Sequence, residues 1–340
     1  MQQFKILVLT DHTGHSSENS LYALSRAMHQ HAWCQQIDVA TRWNSLNNLF
    51  FQGISKANLL VNPVDQRFAF HEEGRAFKRE LRKAKLEEYD LIWLRLPPPI
   101  PKVFIDFLQR ELPDTLIIND PKGIWETGTK QFLLRFPDIC PPLQYCTSMA
   151  DIIAFKDRFP IVLKPVRAYG GKGLVKIDGD KVWVENRAIS LQAFEAEMAH
   201  STIEYLGVEY LHNVSLGDKR IVVVDGQIMG ASLRLPPKDS WICNVASGGS
   251  SHLTAIDDDE REIIKRLNPV LAEMGIVMYG IDTLVGNDGK RVLSEINTTS
   301  IGGLPQIGKL QGTSVVQQAV HLILNYIKHK KQGTNVIGNR

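Results

Sequence analysis

Cysteine is scarce in this chain: four among 340 residues, at Cys34, Cys140, Cys146 and Cys243. No C-x-x-C pair occurs, and the spacings match no common zinc pattern. The plain reading is reduced, mostly buried thiols in a cytoplasmic protein, with a reactive thiol as the alternative. Net charge is scarce too. The 39 Lys and Arg against 37 Asp and Glu leave a formal charge of +2, which disfavours dedicated nucleic-acid binding. No apolar run approaches the roughly 18 residues of a membrane span. The opening MQQFKILVLTDHTG enters a strand directly, without the basic region, long apolar core and cleavage site of a secretory leader. Neither G-x-x-x-x-G-K-[ST] nor G-x-G-x-x-G occurs, and no Ser/His/Asp or Cys/His constellation is evident. What is present is ordinary globular material, 44% hydrophobic and 22% charged. Its length suggests two or three domains.

The first 120 residues alternate strand and helix. Apolar runs at 5–10 (KILVLT), 37–41 (IDVAT), 59–64 (LLVNPV), 90–96 (DLIWLRL) and 115–120 (TLIIND) read as strands. Helical spacing covers 17–33, with Ser16 and Ser17 as caps, and a charged helix is expected at about 72–88 and another at 103–111. Continuous apolar strands separated by helices predict a parallel sheet covered on both faces. The basic residues of the 72–88 segment are interrupted by Glu80, Glu87 and Glu88, so a solvated face is favoured over a nucleic-acid patch. After Asp120 the texture becomes α+β. A helix is expected around Lys130, and IVLKPV (161–166) and GLVKI (173–177) flank a loop. RIVVV (220–224) and QIMGASLRL (227–235) are joined by Asp225-Gly226, a type I′ hairpin signal. A helix at 257–274 starts with three aspartates and ends before Gly275. A last hairpin turns at Asp288-Gly289, an amphipathic helix covers 315–329, and the basic end is expected to fray.

The last hairpin carries chemistry. A two-residue turn at Asp288-Gly289 puts Asp282 directly opposite Glu295, on one sheet face, with Cβ atoms about 5 Å apart. Asn297 points to the same face. Opposed carboxylates repel, so something positive must offset them. A hard cation such as Mg²⁺ suits two carboxylates and an amide oxygen. The other reading is that a Lys or Arg compensates, or that one group points to solvent; Arg291 is near in sequence but faces the opposite side of its strand. Upstream, LKPVRAYGGKGLV places Lys164 in a strand before Gly170, Gly171 and Gly173. Glycines let backbone N–H groups approach phosphate, although a glycine-rich hairpin turn reads the same way. Lys130 is a surface lysine alone and a second phosphate donor beside Lys164. NVASGGSSH (244–252) reads as a lid loop or a linker.

Taken in order, Lys130, Lys164-Pro165, the 170–173 loop, EYL (209–211), GDKRIVVVDG (217–226), Asn244 with Gly248-Gly249, Asp282 and EINTTS (295–300) resemble an ATP-grasp carboxylate–amine ligase, most closely bacterial glutathione synthetase. The likeness runs from about residue 90 onward, while the first 90 agree mainly in strand–helix order. It implies an N-terminal wound parallel-sheet domain (1–120), a lid subdomain (121–207), a C-terminal antiparallel-sheet domain (208–330) and a basic tail (331–340). It also implies roles. Lys130 and Lys164 hold the α- and β-phosphates of ATP, and Gly170, Gly171 and Gly173 close over the triphosphate. Glu209, Tyr210 and Leu211 line the adenine pocket, and Asp218 approaches the ribose. Asp282, Glu295 and Asn297 hold two Mg²⁺ (Mn²⁺ as an alternative ion). Arg220 and Arg234 face the acyl substrate and its phosphate, with Asn244 counted among the catalytic residues. The implied reaction joins γ-glutamylcysteine to glycine through an acyl phosphate. The alternatives are a related ligase with another substrate, such as a glutamate-adding enzyme, and a non-catalytic nucleotide-binding module. Small-molecule partners, no nucleic acid or membrane, and a homo-oligomer are further expectations. The pattern departs from the family at Leu96-Pro97-Pro98-Pro99, at Ser250-Ser251-His252 and at Ile301-Gly302-Gly303, all near the expected substrate pockets.

Overall fold

A computed structural model describes residues 3–168, 172–184, 187–236 and 250–337. The described residues build three sheets. The first has six strands, in the spatial order Arg82–Lys83, Leu60–Pro63, Cys34–Thr41, Phe4–Thr10, Leu91–Arg95, Leu116–Ile118. The last four are mutually parallel, as a strand–helix alternation requires. The first two are antiparallel additions, so the sheet is mixed rather than wholly parallel. The expected helix at 72–88 is absent. In its place are a single turn at Arg75–Phe77, the two-residue edge strand and another turn at Leu86–Glu88. The cause is a buried charge. The fully buried Asp38 carboxylate accepts hydrogen bonds from Arg82 Nη2 at 2.6 Å and from the Tyr89 hydroxyl at 2.6 Å. An unpaired buried carboxylate is costly, and satisfying this one draws Arg82 to the sheet edge against its helical propensity. The helix expected at 17–33 is shorter, Ser20–Gln30, because Asn19 rather than a serine caps it by accepting the Leu21 N–H.

The second sheet is antiparallel throughout: Arg187–Ser190, Lys181–Val184, Val175–Asp178, Ile161–Pro165, Tyr205–Glu209, Leu143–Cys146. It has its own core, in which Ile152, Phe155 and Phe194 from two helices pack on Ile161, Leu163 and Ile177. The third sheet runs Ser250–Leu253, Gln227–Leu235, Asp218–Val224, Met278–Val285, Arg291–Asn297. Helix Asp258–Glu273 covers one face, through Ile264, Leu267 and Leu271 on Ile221, Val223 and Ile281. Helices Leu304–Gln311 and Val315–Ile337 cover the other, on Val222, Val224 and Met278. Burial on both faces explains the unbroken apolar run 221–224. The same two cores take in opposite faces of the first sheet, such as Leu7 and Leu9 in one and Ile6 and Val8 in the other.

Asp225 and Gly226 both adopt positive φ, 47° and 73°, with Val224 opposite Gln227, which is the expected type I′ turn. Lys130 opens a 3-10 segment, Lys130–Arg135, instead of an α-helix, while the α-helix of this region precedes it at Pro121–Thr127. The C-terminal helix does not stop at 329. It runs to Ile337, and Lys331 pairs with Asp90 on the way. Cys140 and Cys146 are buried and Cys34 is half-buried. Burial pushes their thiols up to about 12, about 11 and about 11. Cys243 lies outside the described residues. Among the described residues no helix is long and apolar enough to cross a membrane.

Candidate active site

The last hairpin reaches the expected pairing by a different route. Asp282 is opposite Glu295, and Gly280 is opposite Asn297. The turn is not the two-residue one, however. Val285 pairs with Arg291, the Gly286 N–H donates to the Lys290 carbonyl at 2.7 Å, and Gly289 takes φ 85° in a longer loop. That shift of one residue is undone by a bulge: Thr283 faces Leu293 while Asp282 faces Glu295, so Ser294 is the extra residue. The bulged residue is itself used. Lys164 Nζ, on the second sheet, donates to the Ser294 carbonyl at 3.3 Å and to its Oγ at 3.1 Å.

Alternation then collects one polar set on one face of the third sheet: Asp218, Arg220, Arg234, Asp282, Glu295 and Asn297. Asp282 is almost fully buried. Arg220 grips it with two bonds, from Nε to Oδ1 and from Nη2 to Oδ2, the latter at 2.7 Å. Arg234 Nη2 lies 3.0 Å from Oδ1, and Asn297 Nδ2 donates to Oδ2 at 3.4 Å. Burial by itself raises the Asp282 carboxyl, but Arg220 and Arg234 outweigh it and hold the group well below the usual carboxylate range. Arg234 also donates to both oxygens of Asp218, through Nε at 2.9 Å and through Nη2. Burial and the neighbouring Asp282 charge push the Asp218 carboxyl upward. The positive compensation that opposed carboxylates demand is thus supplied to Asp282 by arginine.

A cavity of about 280 Å³ opens against this face, lined by Lys130, Arg167, Arg220, Glu295 and Asn297 among others. Lys130 and Lys164 are drawn down by burial, with Glu295 opposing the shift in both. Lys130 Nζ donates to the Ala168 carbonyl. The Glu295 carboxylate enters no hydrogen bond or ion pair among the described residues, so it is the anion left to meet a cation in the cavity. A second cavity of about 500 Å³ is lined by Cys140, Pro142, Glu209, Leu211 and Val292. Glu209 and Tyr210 donate their N–H groups to the carbonyls of Pro142 and Pro160, at 2.9 and 2.8 Å. Lys176 Nζ sits 3.7 Å from the centre of the Tyr210 ring. Each oxygen of Asp218 accepts from Arg234. Gly173 has φ 69°, whereas Gly170, Gly171 and Asn244 lie outside the described residues, as do Gly248 and Gly249.

Four further residues shape the site and were not singled out in the sequence. Ser294 receives Lys164. Asn119 binds across the strand ends, donating to the carbonyls of Met278 and Thr298 and accepting the N–H groups of Val277 and Met278. Thr127 Oγ1 lies 2.7 Å from Thr298 Oγ1. The fully buried Arg95 donates to the Ile301 carbonyl at 2.8 Å. Asn119 in TLIIND and Arg95 in DLIWLRL are polar residues closing apolar strands, a signal that marks their position though not their partners.

The donor set fits a hard divalent cation at Glu295 and Asn297, which offer a carboxylate and an amide oxygen to a cavity lined by lysine and arginine. Asp282, the third carboxylate or amide expected for that cation, lies on the same face, and its oxygens are held by the two guanidiniums. Lys130, Lys164, Arg220 and Arg234 around the carboxylates of Asp218, Asp282 and Glu295 leave positive charge in excess, as a polyphosphate requires.

The architecture recurs in a solved D-cycloserine synthetase, with a TM-score of 0.63 at 13% identity over 95% of this chain and 99% of that one. At that identity the likeness is one of fold. Fold and site together define an ATP-dependent carbon–nitrogen ligase of the ATP-grasp class. The sequence comparisons are narrower. Residues 129–312 match the family described as prokaryotic glutathione synthetase, ATP-grasp domain. Glutathione synthetase from Bradyrhizobium diazoefficiens is 31% identical over 261 residues, 75% of this chain and 80% of that protein. The Brucella melitensis glutathione synthetase is 33% identical over 235 residues, 68% and 72% of the two chains. The chain belongs to the prokaryotic glutathione synthetase family, whose members use ATP, a divalent metal and small-molecule substrates.

Proposed function

We propose that this protein makes glutathione in the cytoplasm, joining the cysteinyl carboxylate of γ-glutamylcysteine to the amine of glycine at the expense of ATP. The observation that carries the reading is the single sheet face that assembles Arg220, Arg234, Asp282, Glu295 and Asn297 beside Lys130. A carboxylate oxygen of the dipeptide attacks the γ-phosphorus and the bond to ADP breaks. The glycine amine then adds to the acyl carbon, phosphate departs and the amine loses a proton. Such a transfer needs positions and charge rather than a nucleophilic side chain. Arg220 stands where it can hold the acyl phosphate while keeping its grip on Asp282. Lys130 and Lys164 hold the triphosphate. The adenine reads the backbone at Leu211, whose N–H has no partner among the described residues, in the cavity with Cys140 and Val292. Glu295 and Asn297, with Asp282, would hold two Mg²⁺, which supply charge neutralisation to the phosphates.

The deciding measurement is product mass after incubation with ATP, Mg²⁺, γ-glutamylcysteine and glycine. Glycine-dependent glutathione, with one ADP per product, is expected. No product with this pair, across a panel of amines, would reject the assignment. One observation favours a second reading, a ligase with another acceptor. Ile301 and Pro97, two departures from the family pattern, both line the cavity. A new product mass in the same panel would identify it. Lys164→Ala is expected to weaken ATP binding by about 10- to 100-fold, the usual worth of charge-assisted bonds. Calorimetric titration with a non-hydrolysable ATP analogue measures it, and unchanged affinity would remove Lys164 from the phosphate site.

A further inference from the structure

The cavity contains a cation that phosphoryl transfer does not account for. The guanidinium of Arg167 lies 4.1 Å from the centre of the Trp125 ring, and both side chains line the cavity with Arg220 and Glu295. Its backbone is fixed on either side. The Val166 carbonyl accepts the Lys130 N–H at 3.0 Å, and the Ala168 carbonyl accepts Lys130 Nζ. No carboxylate pairs with Arg167 among the described residues. Stacking on indole holds the guanidinium plane while leaving its N–H edges open, the geometry of a two-point bond to a planar anion. Pro97, Pro98, Ile100 and Ile124 give the same cavity an apolar wall, alongside the hydroxyl-bearing Thr298, Thr299 and Ser300. That wall suits the carbon skeleton of a small peptide or amino acid better than a hydrated triphosphate, and it strengthens an ion pair formed against it.

We propose that Arg167, held on Trp125, binds a non-reacting carboxylate of the peptide or amino-acid substrate and so determines which substrate the ligase accepts. This rests on the ligase reading above. The carboxylate belongs either to the acyl dipeptide or to the incoming amino acid, and kinetics separate the two.

The test is steady-state analysis of Arg167→Gln, with KM measured separately for γ-glutamylcysteine, glycine and ATP. One of the first two is expected to rise about 10- to 100-fold. The KM for ATP should stay near wild type, and kcat should fall far less than kcat/KM. Arg167→Lys should recover only part of the loss, because an ammonium lacks the planar fork. A substrate analogue with the recognised carboxylate converted to an amide should cost the wild type a similar factor and cost Arg167→Gln little more. Unchanged KM for both carboxylate substrates would overturn the proposal. So would a rise confined to ATP, which would make Arg167 a phosphate ligand. A wild type inactive with γ-glutamylcysteine and glycine counts against the function proposed above. An active wild type matched by Arg167→Gln counts against this proposal alone.

Discussion

Glu295→Gln is expected to lower ATP-dependent turnover by at least about a hundredfold while leaving the folded protein intact. The substitution keeps the side chain's size and removes its charge. Asp282 sits on the same face, but its charge is offset by Arg220 and Arg234. Glu295 is therefore the carboxylate able to attract a divalent ion into the cavity beside Lys130. A metal bridging phosphates is worth several kcal/mol of transition-state stabilisation, and each 1.36 kcal/mol is about tenfold in rate. With Glu295 proposed as one of its ligands, the substitution is expected to remove most of the rate and to raise the Mg²⁺ concentration needed for half-maximal activity. ADP release followed across a Mg²⁺ titration measures both, and a melting curve checks the fold. Near-wild-type turnover at ordinary Mg²⁺ would show that Glu295 holds no metal.

Lys219→Met is expected to do the reverse, costing about 3–5 kcal/mol of stability. Lys219 precedes Arg220 in the strand and faces the opposite side of the sheet. Its side chain is 5% exposed, and Nζ donates to the Ala255 carbonyl at 2.9 Å, to Asp257 at 2.7 Å and to Glu260 at 3.0 Å. Glu260 is fully buried. It also accepts the Thr283 hydroxyl at 2.6 Å and the Asp257 N–H at 2.9 Å, while the nearest other cation, Arg291, stands 4.0 Å away. Methionine fills the space of lysine but strands the Glu260 charge in the core, which is the expensive half of breaking a buried pair. Denaturant unfolding reads the loss. The double variant with Glu260→Leu should recover much of it, because an apolar replacement of both partners leaves no charge to desolvate. A loss under about 1 kcal/mol for the single variant would mean that Arg291 moves in to compensate.

These adjacent residues also show what was legible in advance. The run GDKRIVVVDG declared a strand and a hairpin, and the Asp225-Gly226 turn formed as its residue types require. Arg220 was readable as a site residue through family resemblance. Lys219 was not, because its partner is a helix residue about forty positions away and periodicity carries no information about that distance. The same limit explains the segment 72–88. Its spacing is helical, but the cost of leaving Asp38 unpaired is tertiary, and it won. The opposed pair Asp282 and Glu295 was expected from a two-residue turn that does not form, and the pairing holds only because the longer loop and the Ser294 bulge offset each other; arginine as the compensating charge was one of the outcomes left open. The bulge at Ser294 and its bond to Lys164 depend on a neighbouring sheet, so no local pattern could announce them.

The bulge adds a residue that the pairing does not use. Deleting Ser294 would leave Thr283 opposite Leu293 and Asp282 opposite Glu295, so the acidic face would survive. What the deletion removes is the seat of Lys164, whose Nζ bonds the Ser294 carbonyl and Oγ. The extra residue thus serves the neighbouring sheet, and a regular ribbon would carry the same carboxylates without that anchor for the lysine.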